Sequence, residues 1–341
     1  MNDTPEHDGT GAIAADRAAL PRFDDVLAAR EQIAAFAVRT PTLESPILNE
    51  RFGARVFLKA ETLQRTGSFK FRGAYNCISR IDPASAPGGI VACSSGNHAQ
   101  GVAEAARLAG LQATIVMPRD APPLKIFRTR RSGAEIVLFD RDTEDREELA
   151  RKLCGERDAV YVPPFDHPEV IAGQGTAGLE LCEQVNEAGA RLVTVLTPAS
   201  GGGLASGVAL AVRHLMPECA VYTVEPEGFD DYARSLDSGR RMRNERLSGS
   251  ICDSLLIGEP GRITFALSQP LLAGGLAVSD AEAREAMRFA FEELKLVVEP
   301  GGAVGLAALL SGRIEPPADG AVGLILSGGN VDAQTFCDML A

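Results

Sequence analysis

Metal-binding spacings, long apolar runs and an excess of positive charge are all missing from this 341-residue chain, which also has no tryptophan and only four histidines. Its seven cysteines form no Cys-x-x-Cys pair and stand beside no histidine at zinc-ligand spacing, which excludes a zinc module. They read as buried apolar thiols. No apolar run approaches the ~20 residues needed to cross a bilayer. With 34 Lys and Arg against 46 Asp and Glu, the net charge is −12, which argues against nucleic acid and anionic membranes as partners. Neither GxxxxGK[ST] nor a GxGxxG after the first strand is present, so the usual nucleotide-binding loops are not indicated. Repeats and low-complexity segments are also lacking. Met1 to Leu20 shows no charged-then-apolar leader, so a reducing cytoplasm is expected, and Met1–Ala19 reads as a flexible tail.

What the chain has is glycine, 35 residues of it, with 45% hydrophobic and 23% charged residues, the balance of a globular α/β protein. Its length suggests two domains. The spacing of Phe23, Val26, Leu27, Ile33 and Phe36 predicts an amphipathic helix that Thr40-Pro41 would end. Strands are expected at Val56–Leu58, Ile90–Cys93, Ala113–Met117, Glu135–Phe139, Leu192–Thr197, Ala220–Val224 and Val322–Leu326, with helices between most of them. A long helix is expected from Asp280 to Leu296, opened by a capping box of Ser279 and Glu282. That rhythm implies parallel sheets covered on both faces. Two doubly wound lobes follow: a large one from residues 20–88 and 167–341, and a small one from 89–166. Ligands of such sheets sit at the carboxyl ends of strands, where Ser94, Ser200 and Ser327 fall.

Three stretches carry chemistry. Thr66–Gly73 sets Lys70 among small and aromatic residues at a loop-to-helix junction. A lysine amine attacks carbonyls only when uncharged, and burial beside Phe69 and Phe71 or the cation of Arg72 would favour that form. Such a lysine is ordinarily a solvated surface charge. Ser200-Gly201-Gly202-Gly203-Leu204 follows an apolar strand and opens a helix, so its backbone N–H groups suit an anion. Ser327-Gly328-Gly329-Asn330 also follows a strand. Each glycine run alone is equally the mark of a tight turn.

Together with Ser94-Ser95-Gly96-Asn97-His98, Ile171–Thr176 and Lys295–Pro300, these motifs resemble the fold-type-II pyridoxal-phosphate (PLP) enzymes, specifically threonine/serine dehydratases and serine racemases. The likeness runs from about Val26 onward. It implies a tryptophan-synthase-β-like fold with the cofactor between two doubly wound lobes. It also implies that Lys70 carries the cofactor as a Schiff base and moves the α-proton, and that Ser200, Gly201, Gly202, Gly203 and Leu204 cradle the phosphate. Ser327 would bond the pyridine nitrogen, and Phe69 would lie beside the ring. Ser94, Ser95, Gly96, Asn97 and His98 would take the amino-acid carboxylate, Asn97 also approaching the ring hydroxyl. Ser95 matches the opposite-face base of the racemases. His98 reads equally as a structural histidine.

The resemblance further implies a homodimer and a Mg²⁺ or Ca²⁺ site made by Glu225, the Phe229 carbonyl and Asp231, although a short acidic loop is more often simply solvated. Phe165 stands where animal serine racemases carry an amide and matches the dehydratases instead. Arg146 aligns with an arginine of the racemases and hydroxyaspartate dehydratases. The chain stops soon after Ser327, so the regulatory domain of biosynthetic threonine dehydratases is not expected. The expected reaction is loss of water and ammonia from a β-hydroxy amino acid, L-threonine to 2-oxobutanoate or L-serine to pyruvate. A racemase or threo-3-hydroxyaspartate dehydratase remains open, as does a non-catalytic amino-acid or nucleotide-binding protein.

Overall fold

The structure is a computed structural model that describes residues 20–141, 143–316 and 319–341, so the tail expected at Met1–Ala19 lies outside the described residues. Chain order within it is α1 (Phe23–Ile33), β1 (Thr42–Glu44), α2 (Pro46–Phe52), β2 (Arg55–Ala60), α3 (Lys70–Ile78), β3 (Ile90–Cys93), α4 (Asn97–Ala109), β4 (Ala113–Pro118), α5 (Pro123–Arg131), β5 (Glu135–Phe139), α6 (Arg146–Arg157) and β6 (Val160–Tyr161). It continues with α7 (Pro168–Glu187), β7 (Leu192–Pro198), α8 (Gly203–Leu215), β8 (Ala220–Pro226), α9 (Asp231–Ser238), α10 (Arg262–Ser268), β9 (Gly274–Val278), α11 (Asp280–Glu292), α12 (Pro300–Leu310), β10 (Ala321–Leu326) and α13 (Ala333–Leu340).

Two sheets result. The larger has the order β1-β2-β10-β7-β8-β9 and is parallel except for β1, which pairs antiparallel with β2. The smaller, β5-β4-β3-β6, is wholly parallel. Strands β3, β4 and β10 are apolar along nearly their whole length because both faces are buried under helices. The α3 helix lends Phe71, Ala74 and Ile78 to the same apolar cluster as Ile90 and Ala92 of β3 and Val102 of α4. Among the described residues no helix is long and apolar enough to cross a membrane.

The α11 helix ends at Glu292, short of the expected Leu296, because Lys295 takes a left-handed conformation with φ 58°. Its opening agrees with expectation: Ser279 Oγ accepts from Glu282 N, and the Glu282 carboxylate accepts from Ser279 N.

Candidate active site

Lys70 is the first residue of α3 and is half-buried, with its amine turned inward. The loop before it is stitched to the end of β10. Ser68 bridges Gly328 in antiparallel fashion, Phe69 N donates to Ser327 O at 3.1 Å, and Gly329 N donates to Gly67 O at 2.9 Å. Gly67 has φ 75°, and a Cβ there would meet Asn330 Oδ1 at 2.8 Å, so this turn requires glycine. Thus two segments that read as separate motifs form one wall. Lys70 Nζ donates to Pro164 O at 2.8 Å. Burial lowers its pKa to about 8, while the Glu299 carboxylate pulls the other way.

Arg72 is not the neighbour that depresses Lys70. It points the other way, fully buried, with Nε and Nη2 on the Glu61 carboxylate at 2.8 and 2.9 Å and Nη1 and Nη2 on Glu180 at 2.7 and 2.8 Å. Lys59 Nζ completes the group, donating to Glu180 Oε2 at 2.6 Å, to Thr40 O and to Gln184 Oε1. Two cations and two anions are therefore matched inside the protein, pinning the first turn of α3 to the end of β2 and to α7. Phe71 packs in the core against Tyr75, with its ring centroid 5.6 Å away. The Ile171–Thr176 motif serves this packing. A Cβ on Gly173 would lie 2.6 Å from Gly73 Cα, Gln174 Oε1 accepts from Gly73 N at 3.2 Å, and Thr176 Oγ1 accepts from Arg72 at 3.1 Å.

Ser200 to Leu204 turn from β7 into α8. Gly202 has φ 94°, and a Cβ there would lie 2.5 Å from the Tyr232 ring. A Cβ on Gly201 would collide with the Phe165 ring at 2.5 Å. Gly201 O accepts from Thr264 Oγ1 at 2.6 Å and from Gly261 N at 3.1 Å. The first N–H groups of α8 are left without intrahelical partners, and side-chain-free residues keep them open to an anion. Asp166 steadies this loop from outside, accepting from the backbone N of Arg262, Ile263 and Thr264 at the start of α10. Phe165 and Asp166 thus link Lys70's acceptor at Pro164 to the glycine turn.

Ser94, Ser95 and Gly96 are half-buried at the N-terminus of α4, with Gly96 N donating to Ser94 Oγ at 3.1 Å. Asn97 is buried. Its Nδ2 donates to Glu299 Oε1 at 2.5 Å, and its Oδ1 accepts from Asn330 Nδ2 at 2.7 Å. His98 turns inward, its Nε2 held by Val162 O at 3.1 Å, and burial depresses it to about 3, so the ring is neutral. Arg146 opens α6 and is exposed, with Glu147 4.0 Å away.

Glu225 at the end of β8 accepts from the N of Tyr232 and Ala233, both at 2.9 Å. Asp231 Oδ1 accepts from Asn244 Nδ2 at 2.5 Å, whereas the buried Oδ2 has no partner. Phe229 is buried nearby, its N donating to Pro226 O. Burial and, for Glu225, the adjacent Asp231 charge raise both carboxyls, Asp231 to about 7. Among the described residues no three His, Cys, Asp or Glu side chains converge as a metal cluster, so further ligands would be backbone oxygens or water.

A half-buried lysine with a depressed pKa, joined through Pro164 and Phe165 to a glycine turn at a helix N-terminus, has the residue types that a carbonyl cofactor bearing a phosphate requires. The family model described as "Pyridoxal-phosphate dependent enzyme" matches residues 33–328, and the chain belongs to that family. It is 46% identical over 94% of its length to the L-threo-3-hydroxyaspartate ammonia-lyase of Pseudomonas sp, of which 99% is covered. To the serine racemase of Schizosaccharomyces pombe it is 40% identical, with 96% of this chain and 99% of that one covered. The structure of maize serine racemase is similar with TM-score 0.88 and 37% identity, covering 94% of this chain and 96% of the other.

The sequence motifs singled out Lys70, the glycine turn and Ser327, but not Glu299, Asp166 or the carboxylates around Arg72. The Lys295–Pro300 motif held a signal for Glu299, since a Glu before Pro at a helix start is an N-cap position.

Proposed function

We propose that this chain is an ammonia-lyase that converts a 3-hydroxy amino acid to the corresponding 2-oxo acid and ammonia. The observation that carries the reading is Lys70, its amine tending toward the neutral form and donating to Pro164 O, in the segment whose next residue, Phe165, packs against the glycine turn at Gly201. Ser200, Gly201, Gly202, Gly203 and Leu204 would hold the PLP phosphate, Ser327 its ring nitrogen, Phe69 its ring and Asn97 its hydroxyl, with Lys70 as the point of attachment. PLP, when bound, supplies an electron sink for the α-carbon.

The residues of the chain then divide the remaining work. The N–H groups at the start of α4, with Ser94 and Ser95, receive the substrate carboxylate. Lys70 takes the proton from the α-carbon and, once protonated, can return it to the β-hydroxyl, which leaves as water; hydrolysis of the released enamine, through its imine, gives the 2-oxo acid and ammonia. Phe165 and the packed Pro163–Asp166 segment exclude solvent from the Lys70 amine. Glu225 and Asp231, with the Phe229 carbonyl, would hold a Mg²⁺ or Ca²⁺ ion. The orphaned Asp231 Oδ2 beside a second buried carboxyl supports that reading.

Two substrate readings stand side by side. An apolar Phe165 wall suits L-threonine or L-serine. The 46% identity with an L-threo-3-hydroxyaspartate ammonia-lyase supports an acidic substrate equally. Half-buried Ser95 leaves a second proton donor for racemisation. Incubation with L-threonine, L-serine, D-serine and the 3-hydroxyaspartate isomers, with keto acid and chiral amino acid measured, separates these readings. Keto acid from none of them, with a D-isomer accumulating from L-serine, overturns the lyase in favour of a racemase.

A further inference from the structure

Glu299, buried at the N-cap of α12, is a titratable group that the reaction outlined above does not use. Its backbone N donates to Gly328 O at 3.0 Å, and a Cβ on Gly328 would lie 2.5 Å from Glu299 Oε1, so the carboxylate lies against the turn that follows Ser327. A chain of hydrogen bonds arrives at it from the protein surface. Arg128 Nη1 of α5 donates to Asn330 Oδ1 at 3.2 Å, Asn330 Nδ2 donates to Asn97 Oδ1 at 2.7 Å, and Asn97 Nδ2 donates to Glu299 Oε1 at 2.5 Å. Every donor in the series faces the carboxylate. Arg128 and Asn97 belong to the lobe of the small sheet, Asn330 and Glu299 to that of the large sheet, so each of the three bonds crosses between lobes. Asn330 Nδ2 also donates to Thr66 O at 2.7 Å, which ties the relay to the lysine loop.

We propose that Glu299 is a positioning residue: its carboxylate orients the Asn97 amide and makes Arg128–Asn330–Asn97–Glu299 one donor-to-acceptor relay that holds the two lobes in register over Lys70. The proposal rests on the placement of PLP between those lobes. An ionised carboxylate accepts an amide hydrogen bond roughly twice as strongly as a neutral carboxyl, so the relay is tight when Glu299 is charged and slack when it is protonated. The charged groups facing Glu299 are Lys70 of α3, Lys125 of α5 and Asp253. Cys252 is also near, its thiol raised to about 12 by burial and therefore neutral. Burial, with Asp253, lifts Glu299 to about 7, against the pull of Asn97, Lys125 and Lys70. The lobes should accordingly loosen as pH falls through neutrality.

The test follows hydrogen exchange of the α5 backbone amides in the holoenzyme, corrected for intrinsic exchange, alongside the visible PLP absorbance, between pH 5.5 and 8.5. In the wild type, α5 exchange should rise about tenfold as pH falls through about 7, the loss of one charge-assisted bond, and the visible band should shift over the same interval. Glu299→Gln should show the faster, acidic exchange at every pH and no band shift in that interval. Arg128→Ala should loosen α5 at pH 8.5, and Arg128→Lys should restore part of the protection. A Glu299→Gln protein that keeps the wild-type pH transition, or an Arg128→Ala protein with unchanged α5 exchange, overturns the relay. Neither readout depends on which amino acid the enzyme turns over, so failure here is distinct from failure of the lyase reading.

Discussion

Two groups of buried acids in this protein have opposite balances. Around Arg72, the carboxylates of Glu61 and Glu180 meet two cations, and their oxygens are filled by guanidinium, ammonium or hydroxyl donors. Around Glu225, two carboxyls lie together with backbone and amide donors only, and one oxygen of Asp231 has none. The first group is complete within the chain and depends on nothing from outside. The second has surplus negative charge, a condition that burial tolerates only through protonation or a cation. The same residue type is therefore matched by cations in one place and left without them in the other.

Breaking the balanced group should have the largest effect. Arg72→Met leaves two carboxylates facing each other in the core and should cost about 3–5 kcal/mol of stability, read by urea unfolding. A loss below about 1 kcal/mol would show that the cluster reorganises freely. The unbalanced group should respond to its guest: Mg²⁺ or Ca²⁺ at one hundred times its Kd should stabilise by about 2.7 kcal/mol, with chelator reversing the rise in Tm. Glu225→Ala should be indifferent to both additions, and a wild type equally indifferent argues against the site.

Lys70 is a third kind of charge, a half-buried cation with no carboxylate bonded to it. Its pKa of about 8 lies below the ordinary 10.5, so the reactive neutral amine gains with rising pH until the group has titrated. Capture of PLP by cofactor-free protein should therefore quicken about tenfold per pH unit below 8 and level off above it, in stopped-flow absorbance. A continued rise to pH 10 would contradict the depressed value. The smallest effect is reserved for an exposed pair. Arg141→Ala, which removes the 2.9 Å contact with Asp120, should change stability by less than about 1 kcal/mol.

Strand β3 was legible to the residue because a strand covered on both faces must run apolar, and the half-exposed edge strand β5 because its short apolar run follows the break at Gly133. Strand β9 carries no such signal. It is a half-buried edge strand with two glycines, carrying neither a strict alternation nor a continuous apolar run. The site divides in the same way. Glycines that need an unusual conformation or a close approach, such as Gly67 and Gly202, leave a mark in the local sequence. Arg72 has partners at positions 61 and 180, and Glu299 reaches Asn97; no local pattern encodes pairs so distant. Arg72 is likewise close to Lys70 along the chain, yet its guanidinium points to Glu61 and Glu180 instead.

The position of β10 bears on how the molecule comes into being. This strand is the last of the ten described strands to leave the ribosome, yet it lies between β2 and β7 in the large sheet and supplies the wall against which Ser68 and Phe69 are held. Until residues 321–329 emerge, β2 and β7 have no strand between them, and their facing edges carry unpaired backbone groups open to other chains. The large sheet is therefore completed only once β10 has been made, and the wall against which the lysine loop rests is completed with it.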